Sequence, residues 1–147
     1  MLLRDLFRPF QKKLQKVPAG RLLVFGEIAG GERAFGPEDL RQLAPEFQTD
    51  DVVHFKAGFS GRAVRLAGLL EVCQPESGPL YLNAASRDGK KLLSLWLAEV
   101  APLGWIVYGA ADRPFQLVLP GFNGPRERID DLALLEVSSH GERELRA

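Results

Sequence analysis

The amino-acid sequence predicts an α+β domain with a mixed β-sheet and short helices. The chain has 147 residues, which suits one domain with a substantial hydrophobic core. Its apolar runs are short enough to be strands, and the helical patterns between them are short as well. These patterns do not alternate at the regular spacing of βαβ units, which argues against a doubly wound parallel sheet.

The composition is that of an ordinary soluble globular protein, with 46% hydrophobic and 26% charged residues. The formal net charge is zero, so no overall positive field favours nucleic acid as a partner. No apolar run reaches about 18 residues, the length that a membrane span requires. The first residues lack the apolar core and cleavage site of a secretory signal, and a single cysteine excludes an internal disulfide. We therefore expect a cytoplasmic protein.

Residues 1–20 are predicted to form a basic amphipathic helix followed by a hinge. The first sixteen residues contain five basic side chains and one acidic side chain, so they carry a charge of +4 and the rest of the chain carries −4. Apolar residues recur at helical spacing from Leu3 to Val17. Such a helix either packs on the flank of the domain, which we favour, or contacts an anionic membrane surface through residues 2–17.

The domain itself is predicted to span residues 21–137. Strands are expected at Arg21–Ile28, Val52–Phe55, Leu80–Ala84, Leu92–Trp96, Trp105–Tyr108, Phe115–Leu119 and Leu132–Val137. Each is a short apolar run, and most of them end at Gly, Pro, Asp or Ser. The polar residues 138–147 are expected to form a frayed tail.

Three short helices are expected among these strands. The first opens at Phe35–Leu40, where a proline and two acidic residues suit the first helical turn. The second covers Ala67–Cys73, and Val64–Leu66 leads into it. A helical turn covers Leu97–Ala101. The Asp-Gly pair within Ser86–Gly89 predicts the tight turn of a hairpin.

The stretch from Val52 to Leu70 is where we expect a ligand, if the domain binds one. A strand enters a Gly58–Gly61 turn there, and a helix follows, so polar side chains at the end of the strand could meet. A small anion-binding pocket would contain His54, Lys56, Ser60, Arg62 and Arg87. The alternative, which we favour, is that these are solvated charges at the rim of the domain.

No sequence pattern predicts a catalytic residue or a metal ligand. The Gly-Phe-Ser-Gly turn around Ser60 does not have the Gly-x-Ser-x-Gly spacing of a nucleophile elbow. Cys73 stands among leucines in a predicted helix and is interpreted as a small core residue. Asp88 precedes a glycine and is interpreted as a turn former.

Four motifs stand in a recognisable order along residues 21–137. They are a strand followed by Gly-Pro-Glu-Asp-Leu, then Gly58-Phe59-Ser60 with Leu69-Leu70, then Ser86-Arg87-Asp88-Gly89, and last Pro114–Gly121 with a strand that ends Leu135-Glu136-Val137. Together they resemble the molybdopterin-binding domain of the sulfite oxidase family, which writes Ser-Ala-Asp-Gly at the third motif. The resemblance implies that fold, and the activity of the family is that of a molybdopterin-dependent oxidoreductase.

The same resemblance identifies departures at the cofactor contacts. The family's molybdenum-ligating cysteine corresponds to His54, Phe55 or Lys56 in this chain, and none of these is a thiolate, the ligand that such a metal prefers. Gln116 stands where the family carries an arginine of a Pro-x-Arg motif. Ile129-Asp130-Asp131 stands where it carries a lysine, and such cations would meet the pterin phosphate.

From these departures we predict a degenerate member of the family that does not bind the molybdenum cofactor. It would act as a binding or interaction module, with a protein or a small anionic ligand as its partner. The alternative is a molybdopterin-dependent oxidoreductase that holds its cofactor through atypical contacts. Between these two functions we favour the binding module over the enzyme.

Overall fold

The structure is a computed structural model that describes residues 12–49, 61–109, 115–122 and 128–140. Its strands are β1 (Leu22–Gly26), β2 (Arg33–Phe35), β3 (Gln48–Thr49), β4 (Arg62–Arg65), β5 (Tyr81–Ser86), β6 (Leu92–Trp96), β7 (Trp105–Tyr108), β8 (Phe115–Val118), β9 (Arg128–Ile129) and β10 (Leu132–Ser138). Its helices are α1, whose described part covers residues 12–15, α2 (Pro37–Arg41), α3 (Leu66–Cys73) and α4 (Leu97–Val100). A 3-10 turn covers Pro45–Phe47.

The described strands form two five-stranded sheets. The first sheet has the order β2-β1-β10-β5-β6, and the second has the order β3-β4-β7-β8-β9. Within the first sheet β1 and β10 run parallel, and the other neighbours run antiparallel. The second sheet is antiparallel throughout its described part. The α+β fold with a mixed β-sheet and short helices is therefore confirmed.

The main core lies where the two sheets and α3 meet. Leu22 and Val24 of β1 contribute to it, as do Ile106 and Leu117 of the second sheet and Leu69 of α3. In β1 the intervening Leu23 points to the opposite face, because successive side chains of a strand alternate. Such alternation would leave Leu23 exposed unless another element covered that face.

The N-terminal segment covers the outer face of the first sheet. Leu14 of α1 and the buried Val17 pack against Leu23, Ala85 and Leu134. This second layer explains why β1 is apolar on both faces. Contact of residues 2–17 with a membrane stays a prediction, since most of that segment lies outside the described residues.

Two glycines lie where neighbouring elements of the fold approach each other closely. Gly26 has a φ of +105°, and a Cβ added there would lie 2.2 Å from the carbonyl oxygen of Val137 on β10. A Cβ on Gly68 of α3 would lie 2.7 Å from Cγ of Phe47. At both positions a larger residue would have to displace its neighbour.

Several elements match their predicted bounds, and others were not foreseen. The hairpin of β5 and β6 is confirmed, as are the bounds of β6 and β7. The prediction that Val64–Leu66 leads into a helix is confirmed, with α3 beginning one residue earlier than expected, at Leu66. The strand β4, which pairs with β7 up to Arg65, was not predicted. The short strands β2, β3 and β9 were not predicted. The expected strand at Val52–Phe55 lies outside the described residues.

Candidate functional site

Of the five side chains predicted to form a pocket, the structure describes two. His54, Lys56 and Ser60 lie outside the described residues. Arg62 is half-buried at the start of β4, where the register places it opposite Tyr108 of β7. Arg87 lies in the turn after β5. A pocket that contains all five residues therefore stays a prediction.

Arg87 donates its hydrogen bonds to the backbone of the N-terminal segment. Its guanidinium nitrogens lie 3.5 Å from the carbonyl oxygen of Val17, 3.4 Å from that of Pro18 and 3.0 Å from that of Arg21. The planar, forked guanidinium can serve several acceptors at once. In this arrangement Arg87 ties the segment that follows α1 to the hairpin of β5 and β6.

The Arg87 turn is also joined to the turn between β9 and β10. The backbone N–H of Arg87 donates to the carbonyl oxygen of Asp131 over 2.7 Å. Asp88 accepts hydrogen bonds from the Ser86 hydroxyl and the Lys90 backbone N–H, which lower the pKa of its carboxyl. Asp88 is thus confirmed as a turn former, and two of the motifs from the resemblance lie side by side.

Gln116 and Asp130, the two positions that depart from the family pattern, contact each other. Gln116 lies in β8 with only 7% of its surface exposed, and its Nε2 donates to Oδ1 of Asp130 over 3.2 Å. Nε of Arg128 lies 3.4 Å from the same oxygen. The Asp130 carboxylate therefore has partners of both kinds, a neutral amide and a cation. Sequence reasoning missed Arg128, because β9 is only two residues long.

The single thiol of the chain is enclosed in the core. Cys73 is the last residue of α3 and is fully buried among apolar side chains. Burial raises the pKa of its thiol, and the positive charge of Arg33 opposes that rise in part. A protonated thiol in apolar surroundings is neither a metal ligand nor a nucleophile. The interpretation of Cys73 as a core residue is confirmed.

A polar network that the sequence did not predict joins α2 to the second sheet. Nε2 of Gln48 lies within hydrogen-bonding distance of the carbonyl oxygens of Leu40, Arg41 and Leu43, and its Oε1 accepts from the Tyr108 hydroxyl. These carbonyls lie at the C-terminal end of α2 and just beyond it, where backbone acceptors need partners. A glutamine eight residues after Leu40 carries no recognisable signal, so only the structure reveals this role.

A second unforeseen cluster lies where β5, β6 and β10 run side by side. Asn83 Nδ2 donates to Oε1 of Glu136 over 2.9 Å, and Asn83 Oδ1 accepts from the Ser94 hydroxyl over 2.6 Å. Burial raises the pKa of the Glu136 carboxyl, and the negative charge of Glu27 adds to that rise. The hydrogen bond from Asn83 and the nearby His140 act in the opposite direction.

No group of three metal-binding side chains occurs among the described residues.

No protein-family model matches the chain, and no curated protein matches it. Among solved structures, the chain is similar to the sulfane dehydrogenase SoxCD of Paracoccus pantotrophus, with 18% sequence identity and a TM-score of 0.62. The similarity covers 82% of this chain and 38% of that chain, so this chain spans well under two thirds of its length. At this identity the likeness shows a distant relationship of fold. Within the described residues no helix is long and apolar enough to cross a membrane.

Proposed function

We propose that this chain is a sulfite oxidase-like domain that binds no molybdenum cofactor and acts as a binding or interaction module. The observation that carries the proposal is the position of the only cysteine. The family's metal ligand is a thiolate, whereas Cys73 is a buried, protonated residue within α3. The positions that correspond to the ligand by resemblance are His, Phe and Lys. The donor set of this chain therefore does not fit the cofactor.

The phosphate contacts support the same proposal. Gln116 stands where the resemblance expects a cation, and its amide is directed to Asp130. A carboxylate at that position repels a phosphate dianion, and the nearby Arg128 pairs with the carboxylate. Arg87 directs three of its hydrogen bonds to backbone carbonyls of the chain itself, which leaves fewer donors for a phosphate. For these reasons a protein partner is favoured over a small anionic ligand.

Molybdenum analysis of the purified chain tests the proposal. The full-length protein is isolated from the organism that produces it, and its metal content is measured by mass spectrometry beside a cysteine-bearing family enzyme purified in the same way. We expect the control to carry stoichiometric molybdenum and this chain to carry only traces. Stoichiometric molybdenum in this chain would establish the alternative, an oxidoreductase with atypical cofactor contacts.

A further inference from the structure

An open apolar groove lies between α3, α4 and the loop that leads into β5. Its volume is about 740 Å³, within the range of sites that hold small ligands or a few peptide side chains. Leu70, Leu80 and Trp96 contribute apolar surface to it. The indole ring of Trp96 stacks on Tyr81 with ring centroids 4.1 Å apart, which holds the indole in one position. The groove is thus lined by a fixed aromatic ring.

The groove also carries negative charge that the described structure does not neutralise. Glu71, Glu76 and Glu99 line it, and all three are exposed. None of them forms an ion pair or a side-chain hydrogen bond with another described residue, and the described lining contains no Lys, Arg or His. Three carboxylates beside an apolar surface create a field that attracts cations.

We propose that this groove binds a basic amphipathic peptide segment of a partner protein. An aliphatic or aromatic side chain of the peptide packs on Leu70, Leu80 and Trp96, and flanking Lys or Arg side chains pair with the glutamates. Such a peptide is complementary to the groove. Its apolar side chain matches the apolar lining, and its cations neutralise the glutamates. Interface hot spots have this form, with an aromatic or aliphatic anchor inside a charged rim.

The same features disfavour anionic occupants. The rim glutamates repel phosphate and carboxylate groups, and with them an anionic membrane surface. The wall between α3 and β5 contains Pro75 and Pro79, which have no backbone N–H to offer an anion. The N–H of Glu76, between them, already donates to the carbonyl oxygen of Glu27. The described lining of the groove therefore offers hydrogen-bond acceptors and apolar surface, but no cation.

This inference rests on the proposed function in so far as it treats the chain as a binding module. The two are tested by different measurements, because molybdenum content reports on the cofactor and peptide binding reports on the groove. Molybdenum in the purified protein would overturn the proposed function alone. A failure to bind basic peptides would overturn the groove proposal alone.

The test is a selection of peptides on the full-length chain. A random dodecapeptide library displayed on phage is panned against the immobilised protein, and enriched peptides are synthesised and titrated by calorimetry. We expect the enriched set to combine Lys or Arg with Leu, Phe or Trp. We also expect the affinity to fall as the salt concentration rises, since rim charges carry part of it.

Two groove variants have matched controls elsewhere on the surface. The double substitution Glu71→Lys and Glu99→Lys should weaken binding about tenfold or more, whereas Glu46→Lys on the exposed 3-10 turn should leave it unchanged. Ala98→Trp, at an exposed position of the lining, should block the groove without altering its charge. Ala34→Trp, on the exposed side of β2, is its control. Thermal unfolding verifies that every variant is folded.

Three outcomes would overturn the proposal. The first is an enriched set without an excess of basic residues, or no enriched peptide at all. The second is equal binding of the enriched peptides to the wild-type chain and to both folded groove variants. The third is binding of the wild-type chain to vesicles of anionic phospholipid that the groove substitutions abolish, which would assign the groove to a membrane.

Discussion

The hydroxyl group of Tyr108 donates a hydrogen bond of 2.6 Å to Oε1 of Gln48. Tyr108 lies in the central strand of the second sheet. Gln48 lies in an edge strand of that sheet and donates to carbonyls at the C-terminal end of α2 and just beyond it. This bond joins a fully buried tyrosine to the segment that leads from β2 of the first sheet into the second sheet. Loss of either residue of this pair should lower the free energy of unfolding.

Replacement of Tyr108 by phenylalanine should reduce the free energy of unfolding by about 0.5–1.5 kcal/mol, because the half-buried Gln48 loses a hydrogen-bond donor to its Oε1. Urea denaturation measures the change. The double variant with Gln48→Ala should lose less than the sum of the two single variants. Gln42→Ala, at the exposed C-cap of α2, is the control. Additive losses would show that the two side chains act independently.

Replacement of Arg87 by methionine should loosen the attachment of the N-terminal segment. The variant retains much of the apolar stem but cannot donate to the carbonyls of Val17, Pro18 and Arg21. We expect faster amide hydrogen exchange in residues 17–23, measured by mass spectrometry. Arg41→Met, on the exposed end of α2, is the matched control. Unchanged hydrogen exchange in residues 17–23 would mean that the packing of Val17 holds the N-terminal segment in place without the Arg87 guanidinium.

Substitution of Gly68 by alanine should destabilise the protein, although alanine is the better helix former by about 1 kcal/mol. The new methyl group would overlap Cγ of Phe47 and also its Cβ, which cannot move without the backbone, so we expect a net loss of about 1–2 kcal/mol. In a Phe47→Ala background the ring overlap is removed and only the overlap with Cβ remains, so the same substitution should cost less than in the wild type. A gain in stability in the wild-type background would contradict the close packing of α3 on the 3-10 turn.

The half-buried carboxyl of Glu136 should make stability depend on pH. Its pKa in the folded protein lies above the ordinary value of 4.5, mainly through burial, so the folded chain keeps this proton to higher pH than the unfolded chain. Its contribution to stability is therefore complete below that ordinary value and is lost as the pH rises through the raised pKa. We expect the unfolding free energy of the wild type to fall, relative to Glu136→Gln, as the pH rises above the ordinary value of 4.5 and through the raised pKa.

Glutamine at position 136 can still accept the hydrogen bond from Asn83, so the comparison isolates the ionisation. Urea denaturation over a series of pH values provides the measurement. Glu46→Gln, on an exposed side chain, should follow the wild-type curve. If the unfolding free energies of the wild type and Glu136→Gln change with pH in parallel, the Glu136 carboxyl has the same pKa in the folded and the unfolded chain.

Replacement of Phe55 by cysteine should not by itself restore molybdenum binding. The substitution supplies a thiolate near the position that the resemblance indicates, but Gln116 and Asp130 would still replace the phosphate-binding cations. The variant is expressed in a host that makes the cofactor, and its molybdenum content is measured beside that of the wild type. Incorporation of molybdenum by this single variant would show that the two residues are compatible with the cofactor.

Sequence patterns predicted the elements that are long enough to show a recognisable run or periodicity of apolar residues. The apolar run Leu92–Trp96 and the Asp-Gly turn identified the hairpin, because both are local signals. The strands β3 and β9 have only two residues each, and their bonds to distant strands cannot be inferred from a local pattern. The parallel pairing of β1 with β10 is likewise a property of the assembled sheet.

The candidate site was predictable only in part, for a similar reason. The resemblance directed attention to Gln116 and Asp130 separately, and only the structure shows their hydrogen bond. It also directed attention to Arg87 as a cation, whereas its acceptors are backbone carbonyls that no sequence motif marks. The groove beside Trp96 brings together α3, α4 and a loop, and no single segment predicts it.

The place of β10 in the first sheet has a consequence for synthesis on the ribosome. This strand is the last described in the chain, yet it lies between β1 and β5 and bonds to both. Since a nascent chain emerges from its N-terminus, β1 and β5 leave the exit tunnel with their inner edges unpaired, a state that favours aggregation. We expect emergence of Leu132–Ser138, rather than of any helix, to be the event that commits the nascent chain to its native fold.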